Sequence, residues 1–116
     1  MKYMLLIYSD EEKARAIPKE DASKMMPAYF AYTEALKKAG ILLGGDRLHF
    51  TSDATTVRIR EGKTNVVNGP YAEAKEQLAG YYIIDVPDID SALSWASRCP
   101  GASFGAVEVR PIWVMQ

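Results

Sequence analysis

An α+β fold of the ferredoxin-like kind, βαββαβ with an inserted β-hairpin, follows from three observations. Two long apolar runs, "KYMLLIYSD" and "GYYIIDV", are continuous rather than alternating, which marks strands covered on both faces. Two segments carry apolar residues at helical spacing, one after each of the first and third strands. Leaving out a polar hairpin, the order is β-α-β-β-α-β, the split βαβ arrangement with two helices on one face of an antiparallel sheet.

The first strand is "KYMLLIYSD", in which Tyr3, Leu5 and Ile7 share one face and Met4, Leu6 and Tyr8 the other. "EEKARAIPKED" reads as a polar connector. Ala22, Met25, Met26, Tyr29, Thr33 and Leu36 then form the inner stripe of the first helix, closed by Lys37, Lys38 and Gly40. Pro27 removes a donor and crowds the preceding turn, so the helix is expected to kink there or to begin near Ser23. "ILLGGDRL" is the second strand. "ATTVRIREGKTNVVNG" is a hairpin around Glu61-Gly62-Lys63. "GYYIIDV" is the third long strand. Asp88 is a suitable N-cap for a second helix, with Ala92, Trp95, Ala96 and Cys99 inward. "GAVEVRPIWV" is the last strand, with Val107, Val109 and Trp113 on one face and Glu108, Arg110 and Ile112 on the other.

Helices on one face leave the other side of an apolar sheet bare. The economical cover is a second copy of the chain, so a homodimer is expected, with room for a small ligand between its parts. The 116 residues make one domain, 1–116, with 48% hydrophobic and 25% charged residues. The net charge of -1 is evenly mixed, which argues against direct nucleic-acid binding. Arg58, Arg60 and Lys63 read as a solvated hairpin edge. Cys99 is the lone cysteine, which fits a reducing cytoplasm. "YMLLIY" is too short to span a membrane and has no cleavage site behind it. His49 is the single histidine, and one His with one Cys makes no zinc site. Neither a metal nor a cofactor is expected; there is no P-loop, dinucleotide fingerprint or nucleophile elbow.

"NGPYAEAKE" is the stretch with most to interpret. Asn68-Gly69 is a strong turn pair, and Pro70 suits the first position of a short helix running to Gln77. Read structurally, it is a turn into a helical stub. Read functionally, the helix start presents free amides to an anion beside Lys75, opposed by Glu73 and Glu76. "GGDRL" is the second candidate: at a strand end where glycines admit a ligand, Asp46 either serves as a general base or simply pairs with a nearby arginine. Arg47 follows it, and Tyr29 is either core or a proton donor. Glu108 and Arg110 either line the dimer cavity or pair with each other.

"MKYMLLIYSD", "LKKAGILLGGDRL", "NGPYAEAKEQLAGYYIIDVPDIDSALSWASRCP" and "VEVRP" together resemble the YCII-related family. The likeness is to the branch named for its Asp-Gly-Pro-Phe motif, the DGPF proteins. Here the motif is Asn68-Gly69-Pro70-Tyr71, and "AEAKEQLAGYY" stands where the family usually has "AETKEQLGGYY". The resemblance implies a dimeric α/β barrel. The first functional reading is a small dimeric protein with a ligand pocket between sheet and helices, lined by Asp46, Arg47, Asn68, Gly69, Pro70, Tyr71, Glu73 and Lys75. A setting beside extracytoplasmic-function sigma factors is implied too, linking the protein indirectly to a regulatory circuit. The alternative is a cofactor-independent lyase, isomerase or monooxygenase, with Asp46 as base and Tyr29 or Tyr71 as proton donor. The His–Asp pair proposed as catalytic in the YCII branch falls at Tyr29 and Cys99 here. A tyrosine is a poor base near neutral pH and a cysteine a nucleophile or nothing, so that chemistry does not transfer.

Overall fold

The computed structural model describes residues 1–115. Strand β1 is Lys2–Ser9, helix α1 Glu11–Ala16, helix α2 Lys19–Lys38 and strand β2 Leu42–Arg47. A 3₁₀ turn at Thr51–Asp53 leads to the hairpin β3 Thr55–Arg60 and β4 Lys63–Asn68. Strand β5 Gln77–Asp85, helix α3 Ile89–Arg98, helix α4 Gly101–Phe104 and strand β6 Ala106–Pro111 complete the order. The main sheet runs β2-β5-β1-β6, all antiparallel, and β3-β4 form a separate ribbon. That is the expected α+β, ferredoxin-like arrangement with its inserted hairpin. The chain alone makes an open sheet, not a closed barrel.

The two faces divide as alternation demands. Tyr3, Leu5 and Ile7 are buried, and Tyr3 and Leu5 stand opposite Ile84 and Tyr82 on β5. Tyr32 and Leu36 of α2 and Ala92, Ala96 and Cys99 at α3 pack onto that side and close the core. Tyr32 keeps its hydroxyl satisfied by donating to the Trp95 carbonyl at 2.7 Å. On the other face Met4, Leu6 and Tyr8 lie beside Ile83 and Tyr81, half-exposed with no layer over them. The result is a slab, 47 × 47 × 18 Å in extent.

Local chemistry explains most boundaries. Asp88 caps α3 by accepting from the Ser91 amide at 2.8 Å, and this bond holds its carboxyl below the usual range. Glu61 (φ 52°) and Gly62 (φ 75°) make the tight left-handed turn of the hairpin. Gly40 (φ 72°) ends α2 as expected.

Several sequence expectations are corrected. "EEKARA" is not a connector but α1, nucleated by Asp10, whose Oδ1 accepts from the Glu12 and Lys13 amides at 3.0 and 3.3 Å. Helix α2 starts at Lys19, not Ser23, and holds Pro27 inside it. The carbonyl that loses its partner there belongs to exposed Ser23, so water replaces the missing donor. Because this half of α2 extends past the core, Ala22 and Met26 are exposed, and the inner stripe is Met25, Tyr29, Tyr32 and Leu36. The last strand stops at Pro111, which leaves Trp113 85% exposed rather than beside Val107 and Val109. Residues 72–76 are an irregular loop, not a helical stub. Among the described residues no helix is long and apolar enough to cross a membrane.

Candidate functional site: a cleft behind the Asn68–Gln77 loop

The site is assembled by Glu11. Capping by Asp10 begins α1 immediately after β1, and this turns the Glu11 side chain inward, where it is 8% exposed. Its carboxylate accepts two hydrogen bonds from Thr51, one from the amide and one from Oγ1, each 2.7 Å. Its own amide donates to Gln77 Oε1 at 3.0 Å. Gln77 Nε2 in turn donates to the Ala74 carbonyl at 2.5 Å. One buried carboxylate and one amide side chain therefore tie together α1, the 3₁₀ turn and the loop entering β5.

The far end of the loop is pinned by Gly69. Its φ of +116° is open to glycine and costly for other residues. Its amide donates to the Ala54 carbonyl at 2.7 Å, and its carbonyl accepts from Thr56 Oγ1 at 2.8 Å. Held at both ends, the irregular loop turns alternate residues toward and away from one side. Pro70, Ala72, Ala74 and Glu76 face a cleft of about 510 Å³; Tyr71, Glu73 and Lys75 do not line it. The opposite wall is Leu48, His49, Phe50, Thr51, Asp53 and Ala54, and the floor is Tyr8 and Leu78. The volume lies within the ordinary range of small-ligand sites, roughly 300–1,000 Å³.

Most of the lining is apolar: Leu48, Phe50, Pro70, Ala72, Ala74 and Leu78. The charged members are the carboxylates Asp53 and Glu76, with no lysine or arginine among the lining residues. A neutral molecule with an aromatic or apolar body suits this surface; an anion does not. Without a helix at Pro70, the ring of free amides on which an anion site depended is also gone. His49 Nδ1 lies 3.0 Å from Asp53 Oδ2, and Tyr8 has its hydroxyl pKa raised by burial and by the neighbouring Glu108 carboxylate.

The other expected site residues are dispersed. Asp46 accepts from the Tyr81 hydroxyl at 2.8 Å on the open face of the sheet, and this bond, together with the carboxylate's charge, raises the Tyr81 pKa. Arg47 stands opposite Gly80 at the end of β2, and Asn68 opposite Thr55 at the end of β4. Tyr71 is exposed, under the Arg58 guanidinium at 4.7 Å from its ring centroid. Glu73 and Lys75 are exposed. Glu108 and Arg110 pair loosely at 3.8 Å. The space between sheet and helices, where a pocket was expected, is occupied by the core.

Tyr29 lies in that region with Cys99. Burial, reinforced by the adjacent Cys99, pushes the Tyr29 hydroxyl pKa far up, and burial likewise raises the Cys99 thiol. Both sit against Gly101, where an added Cβ would meet Tyr29 Oη at 2.7 Å and Cys99 Sγ at 4.0 Å. The two positions are thus brought together, but as neutral groups. Asp46 is across the sheet from them, so the proposed base and donor are not assembled. Glu11, Thr51 and Gln77 were missed by sequence reasoning. The available signal was Asp10-Glu11-Glu12, an N-cap followed by an acidic first turn.

Comparison with known proteins gives a consistent picture. A family model described as the YCII-related domain matches residues 1–116. An uncharacterised protein of Rhizobium meliloti (strain 1021) is 40% identical over 114 residues, 97% of this chain and 92% of the relative.

Proposed function

This chain belongs to the YCII-related domain family, and on that premise we propose that it is a homodimeric, cytoplasmic small-molecule-binding protein whose ligand occupies the cleft behind the Asn68–Gln77 loop. The observation that carries the reading is the alternation of that loop. It presents Pro70, Ala72, Ala74 and Glu76 to a cleft of about 510 Å³ whose other wall is fixed by a buried carboxylate. The ligand class is a small neutral aromatic or amphipathic molecule. Within the family we assign the chain to the DGPF branch on Asn68-Gly69-Pro70-Tyr71. An indirect role in a sigma-factor-linked circuit is the setting that assignment favours.

Two observations support the dimer. Met4, Leu6 and Ile83 form an apolar strip on a sheet face with nothing over it. The radius of gyration is 16.2 Å, against about 13 Å for a compact chain of this length. Tyr8, on the same face, floors the cleft, so a partner covering the sheet would also wall the site. The enzyme reading built on Asp46 and Tyr29 is weaker, because the two stand on opposite sides of the sheet.

Light scattering at micromolar concentration tests the dimer: a mass near twice 12.9 kDa is expected, and Ile83→Lys should return a monomer. A thermal-shift series with small neutral aromatics tests the cleft. A ligand at about 100 times its Kd adds roughly 2.7 kcal/mol. Ala74→Trp should fill the cleft and remove the response. A response unchanged by Ala74→Trp rules the cleft out as the binding site.

A further inference from the structure

The single histidine of the chain lies two residues before the 3₁₀ turn that walls the cleft, and its geometry has a use beyond binding. His49 Nδ1 is 3.0 Å from Asp53 Oδ2, four residues on. A carboxylate only accepts, so the Nδ1 proton is donated to Asp53 and the lone pair is left on Nε2. The turn is not a loose loop. Asp53 N donates to the Phe50 carbonyl at 2.9 Å, and Thr51 is held twice by buried Glu11. Asp53 therefore stands on an anchored turn, and both members of the pair line the cleft.

We propose that His49 is a general base serving this cleft, positioned by Asp53, which accepts a proton from a neutral, weakly acidic molecule bound there. The proposal rests on the cleft being a ligand site. In the step, a C–H or O–H bond of the bound molecule breaks and its proton moves to Nε2. The electron pair stays on the substrate, passing into an adjacent carbonyl or leaving oxygen. The imidazolium then returns the proton to product or solvent, so no oxidant or reductant is needed. Asp53 holds the ring and stabilises the imidazolium as it forms. This pair lies on the turn between β2 and β3, on elements distinct from those that carry Tyr29 and Cys99.

The probe is 5-nitrobenzisoxazole, a neutral aromatic whose ring opens when a base removes its one acidic C–H proton. The N–O bond breaks in the same step, and the product phenolate is read by absorbance. General-base catalysis contributes about 10²–10⁴-fold where a base is positioned, so a rate at least about tenfold above an equal concentration of imidazole is expected. His49→Gln should remove the excess, and His49 is exposed enough that folding is untouched; circular dichroism checks this. Asp53→Asn should lower the rate and change the imidazole tautomer read by ¹⁵N NMR of the single histidine, a signal a merely structural residue would leave in place. Glu73→Gln should leave the rate within about twofold, because this carboxylate does not line the cleft. A rate no greater than imidazole, or an excess kept in His49→Gln, overturns the proposal. Amide shifts at Ala72 and Ala74 on adding the probe separate the two failures. Shifts without turnover leave the cleft standing and remove the base; no shifts and no turnover remove both.

Discussion

Glu11→Ala should loosen the whole cleft from a position outside it. The wild-type carboxylate is 8% exposed and accepts two 2.7 Å bonds from Thr51. A hydrogen bond to a charged group contributes about 1.5–3 kcal/mol, so the gross loss is about 3–6 kcal/mol. Part returns, because alanine removes the cost of burying a charge with no basic partner beside it. Thr51 is only half-buried, so its freed amide and hydroxyl regain water. A net loss of about 2–3 kcal/mol is expected, which for a domain near this size is a fall in Tm of roughly 8–12 °C. Glu11→Gln keeps one acceptor for the Thr51 amide and should lose about half as much. Urea denaturation gives the global figure, and hydrogen exchange at the Thr51 amide gives the local one. A loss under about 0.5 kcal/mol with unchanged Thr51 protection would refute the latch.

Two further outcomes follow from packing and from charge. Gly105→Ala puts a Cβ into the Tyr8 carbonyl and 3.1 Å from Ser9 Cα, backbone atoms that cannot move aside. Its φ of -148° is not left-handed, and the cost read here is steric: about 2 kcal/mol or more by urea denaturation, and a neutral result would show that β6 shifts freely. Burial raises the pKa of Tyr29, Tyr32, Tyr82 and Cys99 in the folded state above their ordinary values of 10.0 and 9.0. The unfolded chain ionises first, so this contribution to stability is full below pH 9 and falls as pH rises beyond it. Denaturation midpoints at pH 8, 9.5 and 10.5 should decline in that order, and the Cys99 thiol should resist thiol reagents in the native protein; a flat profile refutes the burial argument.

The fold was legible where a residue's role is local. Alternation in "YMLLIY" separates Tyr3, Leu5 and Ile7 from Met4, Leu6 and Tyr8 whatever surrounds it, because a strand has a period of two. Asp88 caps α3 through its own neighbour three residues on. Helix α1 was hidden because six mostly polar residues carry no apolar stripe; a cap and a buried glutamate hold it instead. The stripe on α2 was read one turn too early, since periodicity does not say where the sheet beneath ends. "AEAKEQ" has good helix formers, yet Gln77 is drawn into β5 and its side chain holds Ala74, which keeps the segment out of a helix.

The sequence by itself determined the order of the strands and the two long helices, the two faces of the sheet, the hairpin turn and the family. The tertiary structure alone decided which residues meet. Glu11 and Thr51 are 40 positions apart and Glu11 and Gln77 are 66 apart. No local pattern encodes those distances, because they depend on strand register and on where each helix stops. The same long-range packing sent Asp46 to one side of the sheet and Tyr29 to the other. It also placed His49 and Asp53, unremarkable in the sequence, on the wall of a cleft.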